Sequence, residues 1–201
     1  MNKPATTIVD PDLVAEAARI FCEEALVDYR TAKLKAARRL GLPQRGTALP
    51  DNETISKAVV EYQQLYGGDN YRTRLEQLRR AAVQAMELLA DFQPRLVGPV
   101  VSGAITDGHR VQLHVFADAP EMVDIHLHNL GVACYPADRD YRHADGRQRR
   151  IPITSFMVGG VGVDVAVFDP GQRSRPPLSP VDGRPQRGLS PSQARELLIA
   201  G

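Results

Sequence analysis

The chain has 201 residues, 43% of them apolar and 24% charged, with a net charge of +1. This is ordinary globular usage; it excludes overall disorder, and near-neutrality leaves no net field to draw the chain to nucleic acid or anionic lipid. No apolar run approaches the roughly 20 residues of a membrane helix, the start Met1–Thr7 has no apolar signal segment, and Cys22 and Cys134 form no metal or redox spacing, so the sequence reads as a cytoplasmic protein of one or two domains.

The first half carries helical punctuation. Asp10 can cap a helix with Pro11 at its first position, where the missing N–H costs nothing. Small or apolar residues at Val14, Ala17, Ala18, Phe21, Ala25, Tyr29, Ala32, Ala36 and Leu40 then keep a period near 3.6 and predict one helix, stopped by Gly41 and Pro43. A loop from Gly41 to Pro50 leads to a second helix over Asn52–Tyr66, ended by Gly67-Gly68, and a third over about Asn70–Ala90. These three amphipathic helices form an N-terminal helical region, 1–91.

At Arg95 the period changes. Arg95–Val97 opens a short apolar run, and Arg110–Asp118 alternates strictly, with Val111, Leu113 and Val115 on one face and Arg110, Gln112 and His114 on the other. Asp118 and Glu121 have capping-box spacing and predict a helix over 119–130, with Gly131 as its stop. Further strand-like segments flank the Asp145-Gly146 turn, and Val161–Phe168 is almost wholly apolar. Prolines 170, 176, 177, 180, 185 and 191 make 170–191 extended and irregular, and Ser190-Pro-Ser-Gln193 is a second capping box for a short last helix. The fold class is therefore α+β: about three helices, a mixed-sheet domain over 92–170, and a proline-rich arm with a terminal helix over 171–201.

The segment 92–170 resembles the DNA-polymerase-β type of nucleotidyltransferase. Those enzymes have a strand ending in Gly-Ser, a short helical turn, a strand bearing Asp-x-Asp and a third carboxylate on a later strand. The glycine admits the triphosphate, and the carboxylates hold two Mg²⁺ ions for in-line transfer. On that pattern Gly98, Ser102 and Gly103 take the Gly-Ser turn, and Asp164 takes the third carboxylate. The Asp-x-Asp positions fall on Arg110 and Gln112, and Pro99 stands where the serine belongs. A unit charge pair at about 4 Å and an effective dielectric near 20 is worth about 4 kcal/mol, and a dication doubles it as repulsion from Arg110. The resemblance thus implies a degenerate member with no metal cofactor, Mg²⁺ entering only if an altered ligand set using Asp107 or Asp118 keeps transfer alive. Arg110, Gln112 and His114 share a face and can grip an anion such as a nucleotide or phosphorylated small molecule, with Asp164 opposite if its strand is adjacent. An Arg110–Asp164 ion pair that merely holds the sheet in register is the competing role. A protein partner or a second copy of the chain is the remaining kind of ligand.

Weaker patterns carry less. As a strand, 123–128 would align Asp124, His126 and His128 for Zn²⁺ with His114; as a helix it separates the two histidines by about 200°. Ser102 and Cys134 lack the neighbours of a nucleophile, and no phosphate-binding Gly-x-x-x-x-Gly-Lys loop occurs. The arginines around Asp145 and along the arm are interspersed with acids, and aromatic residues are only 5% of the chain, so nucleic acid is not an expected partner.

Overall fold

The computed structural model describes residues 10–43 and 47–199. The polar start and part of the Gly41–Pro50 loop lie outside the described residues. Among the described residues, seven α-helices and one five-stranded mixed sheet make an α+β fold, and no helix is long and apolar enough to cross a membrane.

The chain divides into two compact units. The first holds the described residues through Tyr71 together with Ala104–His109; the second holds Arg72–Gly103 and the chain from Arg110 onward. This division cuts across the three sequence segments: most of the third predicted helix and the whole C-terminal arm belong with the sheet.

In the first unit, α1 (Pro11–Glu23), α2 (Tyr29–Arg39) and α3 (Asn52–Tyr66) bury Leu13, Ala17, Phe21, Ala32, Ala36, Ile55 and Val59 in one cluster. Asp10 caps α1 as the sequence predicts, but the single long helix is two. Ala25 turns left-handed at φ 48°, and the N–H of Leu26 reaches back to the carbonyl of Phe21 at 2.9 Å. Asp28 then restarts the chain by accepting from the N–H groups of Arg30 and Thr31 and from the Thr31 hydroxyl. Local side-chain bonds of this kind compete with helix continuation, and a period-3.6 pattern is blind to them. Lys33, 8% exposed, bonds the Pro50 carbonyl and Asn52 and so fixes the entry to α3; burial lowers its pKa.

The second unit takes most of α4 (Gly68–Leu88) and the sheet, ordered β1-β2-β5-β4-β3. The strands are β1 (Arg95–Val97), β2 (Val111–Phe116), β3 (Cys134–Arg142), β4 (Gln148–Val158) and β5 (Val161–Phe168). Only β2 and β5 are parallel. Val111, Leu113 and Val115 lie in register with Val163, Val165 and Val167, all buried. On that face, α6 (Glu121–Asn129) is tied down where Asp124 accepts from Thr154 of β4 at 2.6 Å. The Asp118 capping box does not form, and the helix starts at Glu121 without a side-chain cap. Ala119 precedes Pro120, which disfavours the helical conformation that a first residue after Asp118 would need. The Ser190 box does form: Gln193 accepts from the Ser190 N–H at 2.9 Å, opening α7 (Pro191–Ile199). A four-residue α5 (Pro99–Ser102) fills the Gly98–Gly103 turn.

Three helices end in the same left-handed motif, with Gly41 and Gly131 at the critical position in two and Ala25 in the third. A left-handed L-residue costs about 1–2 kcal/mol, and glycine returns about 0.5–1 kcal/mol of that as unfolded-chain entropy. Ala25→Gly is therefore expected to stabilise the protein by about 0.5–1 kcal/mol, read as a higher urea midpoint at unchanged slope; no shift would mean that the local turn relaxes the strain.

Candidate functional site

Parallel pairing sets Gln112 opposite Asp164, and the antiparallel β4 sets Ser155 beside it. Asp164, with a side chain 12% exposed, accepts from Arg110 Nε at 2.9 Å, Arg139 Nη2 at 3.0 Å and the Ser155 hydroxyl at 2.8 Å. Both carboxylate oxygens are thereby engaged. The two guanidiniums remain about two-fifths exposed, with N–H groups to spare beyond these bonds. Gly162 lies under Arg110: a Cβ there would come within 2.1 Å of its Nη1.

Arg139 arrives from β3, two places from β5 in the sheet. Tyr141, also on β3, stands 5.6 Å from the ring of His114 on β2, three places away. A flat sheet would not permit such contacts, so the end of the β3–β4 ribbon curls over this face.

Of the residues read from the sequence, Arg110 and Asp164 meet directly. Gly98 and Gln112 also meet, since a Cβ on Gly98 would sit 2.6 Å from the Gln112 amide oxygen. Ser102 turns its hydroxyl back to the Pro99 carbonyl at 3.3 Å, and Gly103 closes the same turn by donating its N–H to that carbonyl at 2.8 Å. His114 lies on the same face but farther along the strand, away from Asp164. It is 3% exposed, packs edge-on against Phe168 and Tyr141, and lines a cleft of about 440 Å³ beneath residues 172–188. Its Nε2 is buried without a hydrogen-bond partner. Burial, aided by the Arg139 charge, pushes its pKa down to about 3.

The zinc arrangement does not occur, because 123–128 is helical and His126 instead bonds the last carbonyl of α4, Leu88 O, at 2.7 Å. Among the described residues no group of three or more His, Cys, Asp or Glu is placed to hold a metal ion. A two-Mg²⁺ centre needs several free carboxylates, whereas the one carboxylate at this site, Asp164, already accepts from three donors, two of them guanidiniums, so the residues present do not fit that group. Both cysteines are unpaired, and burial raises both thiol pKa values, Cys22 to about 12, which leaves them poor nucleophiles.

Arg139 and Ser155 escaped the sequence reading. Ser155 was accessible: positive φ at both Gly159 and Gly160 marks a two-residue hairpin turn, and counting back from it pairs 155 with 164. Arg139 had no such signal, because its contact depends on the curl. No family model matches the chain, and no curated protein matches it.

Two stability experiments follow from this geometry. Asp164→Asn should cost about 2 kcal/mol in urea unfolding, since two guanidiniums lose their counter-charge while water still screens them, and Arg110→Ala about 1 kcal/mol, because Arg139 and Ser155 stay on the carboxylate. Equal costs would mean that the three donors do not share one acceptor. For His114, the unfolded chain takes up a proton near pH 6.5 that the folded chain refuses until about pH 3. Stability should therefore fall as pH drops through that window, by up to about 1.4 kcal/mol per unit. His114→Phe should flatten the slope; His143, also lowered by burial, contributes equally to both proteins and cancels in the difference.

Proposed function

We propose that the protein is a nucleotidyltransferase-like module without metal-dependent catalysis, binding a nucleotide or another phosphorylated anion through Arg110 and Arg139. The order of parts supports the alignment: β1, a glycine-bearing helical turn, β2, then β5 beside it in parallel. One observation carries the reading. The acid at the third-carboxylate position is clamped by two guanidiniums, so the charge left over at the cluster is positive. A site of that sign attracts phosphate oxygens and repels a divalent metal. The spare guanidinium N–H groups are the donors that would meet the phosphate, with the Gln112 amide beside Gly98 as a neutral neighbour.

Isothermal calorimetry with ATP, run once with Mg²⁺ and once with EDTA, tests this. Binding of similar strength in both, weakened about tenfold by Arg110→Ala, is the expected result. Binding that requires Mg²⁺ would favour an active nucleotidyltransferase with an altered ligand set, and no heat in either condition would remove the nucleotide reading.

A further inference from the structure

The arm after β5 is not a loose tail. It begins as a 3₁₀ turn, Pro170–Ser174, and is fastened at both sides of the sheet. The Leu178 N–H bonds the Arg142 carbonyl at the end of β3, and Leu189 exchanges two backbone bonds with Leu96 of β1, at 2.8 and 2.9 Å. Between these anchors the arm folds on itself, with Ser179 bonding Arg184 and Gln186 bonding Pro177. Gly188, at φ 68°, lets it pass close to β1: a Cβ there would meet the Leu96 carbonyl oxygen at 2.8 Å.

Beneath this strap lies the 440 Å³ cleft, within the size range of small-molecule sites. Its floor is aromatic, made by Phe116, Phe168 and His114, with Phe116 and Phe168 in direct register across the parallel strands. Its rim carries Arg95, Arg173 and Arg187. Arg95 is the register partner of His114, and Arg173 bonds the Gln93 side chain. No carboxylate lines the cleft, and among the described residues no Asp or Glu pairs with any of the three arginines. Three cations thus line one cleft with no carboxylate among its residues, and a buried imidazole nitrogen without a partner is a cost the fold carries with no visible return. Both are relieved by the same kind of guest.

We propose that the strap cleft is a ligand site separate from the Asp164 cluster, taking a small planar-ring compound that bears an oxyanion group, either phosphate or carboxylate. The ring lies against Phe116 and Phe168, the oxyanion meets the guanidiniums, and His114 supplies a neutral polar contact to the ring's edge. The neutrality follows from burial, which keeps the imidazole unprotonated at ordinary pH. This site uses other charges than the nucleotide reading does and stands whether or not that reading holds.

Calorimetry and ¹H–¹⁵N NMR titration of the full chain with phenyl phosphate, benzoate and inorganic phosphate test it. At least one of the two ring compounds should bind about tenfold or more tighter than inorganic phosphate, and which one binds identifies the oxyanion. Its shifts should centre on residues 114–116 and 172–188. Arg173→Gln and Arg187→Gln, both at exposed positions where folding is not at risk, should each weaken binding by about tenfold. Binding of neither ring compound, shifts centred elsewhere, or affinities untouched by both substitutions would overturn the proposal.

Discussion

The acceptor capacity of one carboxylate organises one face of the sheet. Asp164 is nearly buried, so both its oxygens must be met by donors, and the donors come from separate places in the chain: the residue before β2, the middle of β4 and the far part of β3. Satisfying that group ties the start of β2, and β4 and β3, to β5 at once and holds the curled ribbon down. It also decides the chemistry available. A carboxylate whose oxygens are spent on guanidiniums is a structural anion, and what faces solvent is the unspent side of the two arginines.

The curl and the strap act together on the other end of the same face. Tyr141 reaches His114 and Phe168 only because β3 bends over the sheet, and the strap begins its crossing from the end of that strand. Ile151, Ile153, Ala166 and Phe168 form a small apolar cluster there, with Phe116 and Tyr141 against it. One face thus holds a polar clamp at the Gln112 level and an aromatic floor at the Phe116 level, two strand residues to either side of His114. The opposite face is valine-rich and buried, with α6 tied to it through Asp124 and Thr154.

Much of this was legible in residue order. Alternation located β2 and an apolar run located β5, the Arg110–Asp164 encounter followed from treating those strands as neighbours, and Ser190 with Gln193 marked α7. What escaped did so for identifiable reasons. Periodicity ran through Ala25 because alanine suits a helix, whereas the break is dictated by Asp28 competing for the N–H groups of Arg30 and Thr31. The Asp118 box had correct spacing but a proline at the residue whose predecessor had to be helical. The placement of Arg139 and of the rim arginines could not be found, since a contact produced by sheet curvature or by a strap leaves no local pattern. Spacing encodes elements; it does not encode how a ribbon bends.

The short excursion Ala104–His109 has an implication for how this molecule can be dissected. It leaves the sheet between α5 and β2 and supplies the helical unit with Ala104, wholly enclosed, with a Thr106 hydroxyl on the Leu26 carbonyl, and with a His109 ring against Phe21. A fragment ending at Tyr71 would lack part of its own interior. The helical portion is consequently not a cassette that gene fusion or truncation could transplant intact, and any swap between relatives of this architecture would have to carry that loop along with the amino-terminal stretch.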